Sequence, residues 1–237
     1  MIAKEEKESF IATFVSGLKY LKTMPEFLIV IGVAVIANFA LGPIFSVALP
    51  VVILNDFGLS ETVYGVIASL MTAGMMIGPL FASGIIKKYH YSKLVTVILS
   101  LSGILCFMIA GSSIKGIFPN IYYNTLIMVV LINILMIIII WVNLALATAR
   151  QRIVPGNLQG RVYSVIGMLA MIAMPLGQIT MGSLLDVTES YIIIGIFAVL
   201  ILISGILAKV GFASLDRKGK MYKEPEEGRA ETAAETA

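Results

Sequence analysis

Six apolar runs, at 26–54, 63–86, 94–114, 122–148, 162–185 and 190–212, occupy most of the 237 residues. Each reaches or exceeds the ~20 residues that an α-helix needs to cross the hydrocarbon core of a bilayer. Backbone polar groups in hydrocarbon must bond within the chain, so isolated runs of this length cross as helices. The fold this predicts is an all-α membrane protein with six transmembrane helices. Composition agrees: 59% of residues are hydrophobic and 13% charged, where a soluble domain carries about 25% charged residues. The mean hydropathy is +0.97.

The connections between the runs set the orientation. Residues 55–61 contain Asp56 and Glu61 and no positive charge, and 186–189 contain Asp186 and Glu189. Residues 87–93 carry Lys87, Lys88 and Lys93, and 149–161 carry Arg150, Arg152 and Arg161. With both termini in the cytoplasm, every lysine and arginine except Lys115 falls on that side, as the positive-inside rule requires. The location this implies is the cytoplasmic membrane. Residues 1–25 read as a cytoplasmic amphipathic linker helix: Ile11, Phe14, Val15, Leu18 and Leu21 make one apolar face, flanked by lysines suited to anionic lipid, and Pro25 ends it. Residues 26–212 form the six-span domain. Residues 213–237 read as a disordered cytoplasmic tail, polar from about Lys218 onward. The charged start, M-I-A-K-E-E-K-E, lacks the apolar core of a cleavable signal peptide.

The same inventory argues against soluble-enzyme chemistry. The one histidine, His90, lies among lysines in a connection, and no Cys/His cluster has metal-ligand spacing. No phosphate-cradling Gly-Lys-Ser/Thr loop is present. Cys106, the one cysteine, sits inside an apolar run and has nothing to pair with. The positive residues lie between apolar runs instead of forming a basic face, so no nucleic-acid partner is expected. No acidic residue lies well inside a run, which argues against an intramembrane enzyme. No cofactor or metal is expected.

The polar residues at depth are uncharged. Asn38 lies in the first run, and Asn133 and Asn143 in the fourth, with Asn143 near Trp141, the one tryptophan. The third and sixth runs hold no asparagine, glutamine or charge at depth. That contrast suits first and fourth spans facing a central cavity, and third and sixth spans facing lipid. The alternative is that each asparagine only bonds a neighbouring helix, a contribution of ~0.6 kcal/mol. Gly74, Gly78 and Ala82 form a small-residue face on which a neighbouring helix can pack closely. Gly42-Pro43 and Pro50 are expected to kink the first run. The runs divide into 26–114 and 122–212, three in each, with no clear residue-level repeat between the two sets.

One stretch resembles a known family. Val154, Pro155, Gln159, Gly160, Arg161, Val162 and Ser164 give V-P-x-x-x-Q-G-R-V-x-S. Met174, Pro175, Leu176 and Gly177 give M-P-L-G, and Gly182, Leu184 and Asp186 give G-x-L-x-D. This string is similar to the tenth-to-eleventh helix region of major facilitator superfamily exporters, the macrolide-efflux type of drug:proton antiporter above all. G-L-K-Y-L-K-x-x-P from Gly17 to Pro25, followed by Asn38-Phe39, resembles the linker helix and the start of that family's seventh span. The similarity covers nearly the whole chain but only the C-terminal half of the usual twelve spans. It departs at the cytoplasmic gate motif, where Lys88 and Tyr91 stand at the aspartate and second-glycine positions.

The resemblance implies one half of a major facilitator bundle, built as a pair of inverted three-helix repeats. Its implied activity is efflux of a small amphipathic substrate, coupled to proton entry. Asn38, Asn133, Trp141 and Asn143 are then candidates for the substrate pathway. Pro155, Gln159, Gly160, Arg161, Pro175, Gly177, Gly182 and Asp186 are the structural motif, with Arg161 at the cytoplasmic end of the fifth span. Coupling needs a carboxylate at depth, which this chain lacks, so a partner is implied: a second six-span half or a second copy of the chain, alongside membrane lipid. The competing readings are a non-transporting membrane scaffold, an inactive transporter fragment, and a six-span channel, for which no filter-like loop or charged ring is evident.

The orientation has a direct test. Cysteines placed at Asp56, Lys115 and Glu189 are expected to react with an impermeant maleimide in intact cells, and one at Lys88 to be protected. Protection of the first three with labelling at Lys88 would invert the topology.

Overall fold

A computed structural model describes residues 25–88, 91–153 and 156–217, and all the ordered elements among them are helical. The elements are α1 (Pro25–Pro43), continued by π-helical stretches Ile44–Ala48 and Val51–Asp56, then α2 (Glu61–Lys88), α3 (Tyr91–Ser112), α4 (Ile121–Ile153), α5 (Gly156–Leu185) and α6 (Ser190–Arg217). Six of the segments are long and apolar enough to cross a membrane: Ile31–Asp56, Glu61–Ala82, Ser92–Ser112, Ile121–Ala147, Gln159–Leu185 and Ser190–Ser214. The all-α, six-span class read from the sequence is the class observed. The linker segment before Pro25 and the tail after Arg217 lie outside the described residues.

The first span does not bend as a simple proline kink. Each π-helical stretch follows directly on a proline, Pro43 and Pro50. Proline removes one N–H and pushes the carbonyl four residues back out of the ladder. The register answers by slipping one residue: Leu49 N–H bonds the Ile44 carbonyl, and Phe57 N–H bonds the Val52 carbonyl at 2.8 Å, both five residues back. Gly58, at φ +65°, then turns the chain towards α2.

Packing orders the helices as a row: α5 against α1, α1 against α6, α6 against α3, α3 against α4, and α4 against α2. Exchanging α1 with α4, α2 with α5 and α3 with α6 reproduces the same row read backwards. The centre of the row shows the symmetry at residue level. A Cβ on Gly103 of α3 would meet Leu202 of α6 at 2.5 Å, and a Cβ on Gly205 of α6 would meet Ser100 of α3 at 2.7 Å. Each glycine thus faces the residue three positions before the other, the reciprocal contact of a two-fold interface. The sequence carries this after all: Ser102-Gly103-Ile104-Leu105 recurs as Ser204-Gly205-Ile206-Leu207. The expectation of no residue-level repeat is therefore corrected. The repeat is confined to the contact between the two equivalent helices, where both backbones approach closely, and elsewhere apolar residues interchange without harm.

Polar groups at the helix ends are handled locally. Asn124 at the start of α4 is fully buried, and its Nδ2 donates to the Ser112 carbonyl at 3.2 Å and the Ile114 carbonyl at 2.9 Å, capping the end of α3.

The α3–α6 crossing yields a stability prediction. Gly103→Val and Gly205→Val should each cost about 1–3 kcal/mol by forcing the helices apart. Gly32→Ala, where nothing lies within 4 Å of the added methyl, should be close to neutral. Thermal unfolding in detergent measures this, and the double variant should cost less than the two singles added, because both act on one interface.

Candidate transport pathway

Exposure separates the spans by chemistry. Among the described side chains, the exposed positions of the first span are Leu28, Asn38, Ser46 and Asn55, three of them polar. The exposed face of α3 is Val97, Leu101, Ile104, Phe107 and Met108, and that of α6 is Ile192, Ile196, Val199, Ile203, Ile206, Leu207 and Val210, with Lys93 and Lys209 exposed near the helix ends. Apolar stripes of this kind suit contact with lipid chains, whereas polar groups left open in hydrocarbon are costly. The first span differs in that its exposed side is mostly polar.

The structure separates the four pathway candidates into two environments. Asn38 is exposed and donates through Nδ2 to the Ala34 carbonyl of its own helix at 2.8 Å. Asn143 is exposed on α4, and its side chain has no hydrogen-bond partner among the described residues. Asn133 and Trp141 lie instead at the contact of α4 with α2. Asn133 Nδ2 donates to the Val129 carbonyl at 2.9 Å, and its Oδ1 faces Gly74, where a Cβ would come within 2.9 Å. Trp141 Nε1 donates to the Gly78 carbonyl at 2.8 Å, across the two helices. Gly78 also sits against the Ile137 carbonyl and the Ile140 Cβ, both 3.2 Å from where its own Cβ would be. The small face of α2 expected from Gly74, Gly78 and Ala82 is thus the seat of α4.

The contact of α5 with α1 is its counterpart. Pro43 leaves the Phe39 carbonyl without its usual donor four residues on. Gly177 of the M-P-L-G motif lies against that carbonyl and the Pro43 ring, so close that a Cβ has no room. A Cα–H can approach such a carbonyl in a weak hydrogen bond. Gly42, one residue before Pro43, takes the side chain of Met174, with Cγ 3.0 Å from the site of a Cβ. Phe39 stacks on Phe197 of α6, with ring centroids 5.8 Å apart and planes at 8°. Gly177 therefore has a physical role: it lets the fifth span close over a proline-freed carbonyl.

Beside this crossing is a pair the sequence reading missed. Gln178 Nε2 of α5 donates to Ser46 Oγ of the first span at 2.9 Å, and Ser46 Oγ donates to the Gly42 carbonyl at 3.0 Å. Gln178 was legible as a glutamine inside the fifth run, directly after Gly177. Serine gives no such signal, because in membrane helices it commonly bonds back to its own turn, as Ser69, Thr72 and Ser183 do here.

The remaining motif residues fall at the ends of α5 or on its open side. Pro155 lies outside the described residues. Gln159 and Arg161 are half-buried and Gly160 exposed, all in the first turns of α5. Pro175 is exposed and Gly182 half-buried, and Asp186 closes the helix with its N–H on the Gly182 carbonyl at 3.2 Å. Of the degenerate gate stretch, Lys88 stands at the end of α2 and Tyr91 at the start of α3, while Tyr89 and His90 lie outside the described residues. No group of three or more His, Cys, Asp or Glu that could hold a metal ion occurs among the described residues.

Compared with known proteins, residues 4–236 match the family model of the Major Facilitator Superfamily. The chain belongs to that superfamily. No curated protein and no solved structure matches it. Its six apolar helices and its family make it a multi-pass membrane protein of transporter type, in a superfamily of transporters and not of enzymes.

The α2–α4 seat can be probed at its one directed bond. Trp141→Phe keeps an aromatic ring and removes the donor to the Gly78 carbonyl, so a loss of about 1 kcal/mol in detergent stability is expected. An unchanged melting temperature by circular dichroism would show that ring packing alone seats α4.

Proposed function

We propose that the chain is the second half of a secondary exporter that moves amphipathic drugs, macrolides among them, out across the cytoplasmic membrane in exchange for protons. One observation carries the reading: the helices at the two ends of the row are left open. Of the spanning residues, 22% of α2 and 28% of α5 are buried, against 56% of α3. Met76 and Leu80 of α2 and Met171 and Ile179 of α5 are among the most exposed side chains in the protein. A bundle whose open helices border the spans with exposed polar residues, α5 beside the first span with Asn38 and Ser46 and α2 beside α4 with Asn143, is suited to close against a second bundle, with the polar residues between the two.

Alternating access needs two bundles moving about a site near the midplane. Six spans make one. Among the described residues Asp56, Glu61, Asp186 and Glu189 all lie at span ends, so the proton-carrying carboxylate belongs to the partner. The partner is a separate six-span half or a second copy of this chain. Both termini are cytoplasmic, and Asn38 and Asn143 lie on the pathway, with Asn133 and Trp141 behind it fixing α4.

Expression in a drug-sensitive host lacking its own exporters tests the reading. Macrolide efflux should appear when the chain is paired with a six-span half encoded beside it, or when it forms a dimer. It should collapse with a proton uncoupler and weaken on Asn143→Leu. Efflux by the strictly monomeric chain would refute the half-transporter reading. Proper insertion with no efflux in any pairing would leave a scaffold or an inactive fragment. Unchanged efflux after Asn38, Asn133 and Asn143 are all replaced by Leu would remove them from the pathway.

A further inference from the structure

We propose that Ser46 and Gln178 form a neutral hydrogen-bonding subsite that selects for ligands rich in hydroxyl and carbonyl groups over cations without hydrogen-bonding groups. The proposal rests on the exporter reading, which supplies its macrolide probe. Ser46 and Gln178 come from different helices and lie within the spanning lengths Ile31–Asp56 and Gln159–Leu185. Ser46 is exposed and Gln178 half-buried, so the pair is joined on an open surface and not within the packed core. Asn38 stands on the same side of the first span, two turns before Ser46, and between them Gly42 is covered by Met174 of α5. The polar patch therefore frames the crossing of the first and fifth spans.

Its unused valences define what it can hold. A glutamine amide has two N–H donors and a carbonyl oxygen. One donor is committed to Ser46 Oγ, and the Ser46 hydrogen is committed to the Gly42 carbonyl. This leaves Gln178 with one N–H and the whole of Oε1. Asn38 likewise commits Nδ2 to Ala34 and keeps one N–H and Oδ1. The patch thus offers paired donors and acceptors at fixed positions, on apolar surroundings, and no charge. A hydroxyl or carbonyl matches it. A permanently charged aromatic cation gains nothing from the amide N–H and meets no counter-charge here. The fixing is supplied by the fold: the π-helical stretch after Pro43 carries Ser46, and the absence of a side chain at Gly177 brings the next residue, Gln178, within reach. π-Helical turns within α-helices recur at functional sites.

The test is equilibrium binding to the full chain in lipid nanodiscs, with two probes: a radiolabelled macrolide, and tetraphenylphosphonium, a cation with no hydrogen-bonding group. Gln178→Leu should weaken macrolide binding ~3–10-fold, the range expected for one lost hydrogen bond, and leave tetraphenylphosphonium unchanged. Gln178→Glu should raise tetraphenylphosphonium affinity by adding a counter-charge. Should Gln178→Leu fail to insert, Ser46→Ala is the second arm: it releases the amide and should weaken the macrolide alone, by a smaller factor. Equal losses for both probes, no loss for the macrolide, or no macrolide binding by the unaltered chain would each overturn the proposal. Binding with this selectivity but no efflux in any pairing would remove the exporter reading and leave the subsite standing.

Discussion

Between membrane helices no hydrophobic gain is available, because lipid chains are as apolar as leucine. Cohesion must come from close van der Waals contact and a few directed hydrogen bonds, and glycine is what permits the contact. In this chain every major crossing outside the α3–α4 and α1–α6 contacts is built on it: Gly103 and Gly205 where α3 meets α6, Gly74 and Gly78 where α2 meets α4, Gly42 and Gly177 where the first span meets α5. The directed bonds sit beside these glycines. Trp141 reaches the Gly78 carbonyl, and Gln178 follows Gly177 onto Ser46. Remove the glycines and the polar contacts lose their reach.

Prolines in the first span have a second effect. Each takes one donor out of the helix, and the chain replaces it in a different way. After Pro43 and Pro50 the ladder shifts register by one residue, and the Phe39 carbonyl freed by Pro43 meets Gly177 of another helix. The defect in one helix is thereby matched to an absent side chain in its neighbour. This is why M-P-L-G makes sense as a unit: Met174 fills the notch at Gly42, and Gly177 closes on the carbonyl one turn further along.

Much of this architecture is legible in the sequence, because hydrocarbon tolerates so few alternatives. Runs of sufficient length and low charge dictate helices, and the count of six follows. The small face at Gly74 and Gly78 is equally readable, since spacing of four puts both on one side of a helix. Which helix that face receives is not readable, because any apolar partner would fill it. Asn38 and Asn143 are exposed, whereas Asn133 and Trp141 have their polar atoms directed at α2 or their own turn. Hydropathy reports that a polar group is at depth and says nothing about which way it points. Ser46 escaped notice for a related reason: its importance comes from Gln178, 132 positions away.

The reciprocal contact of Gly103 with Leu202 and Gly205 with Ser100 carries a consequence for how such a chain can change. In a dimer of two separate three-helix units, any substitution on the two-fold face is made twice, and both halves of the contact suffer or benefit together. Within one continuous chain the two sides vary independently. Ser100 and Leu202 occupy equivalent places and are already different, one small and polar, the other large and apolar, while the glycines opposite them are unchanged. Covalent joining of the repeats thus lets one side of a symmetric seam be retuned while the other holds the helices together.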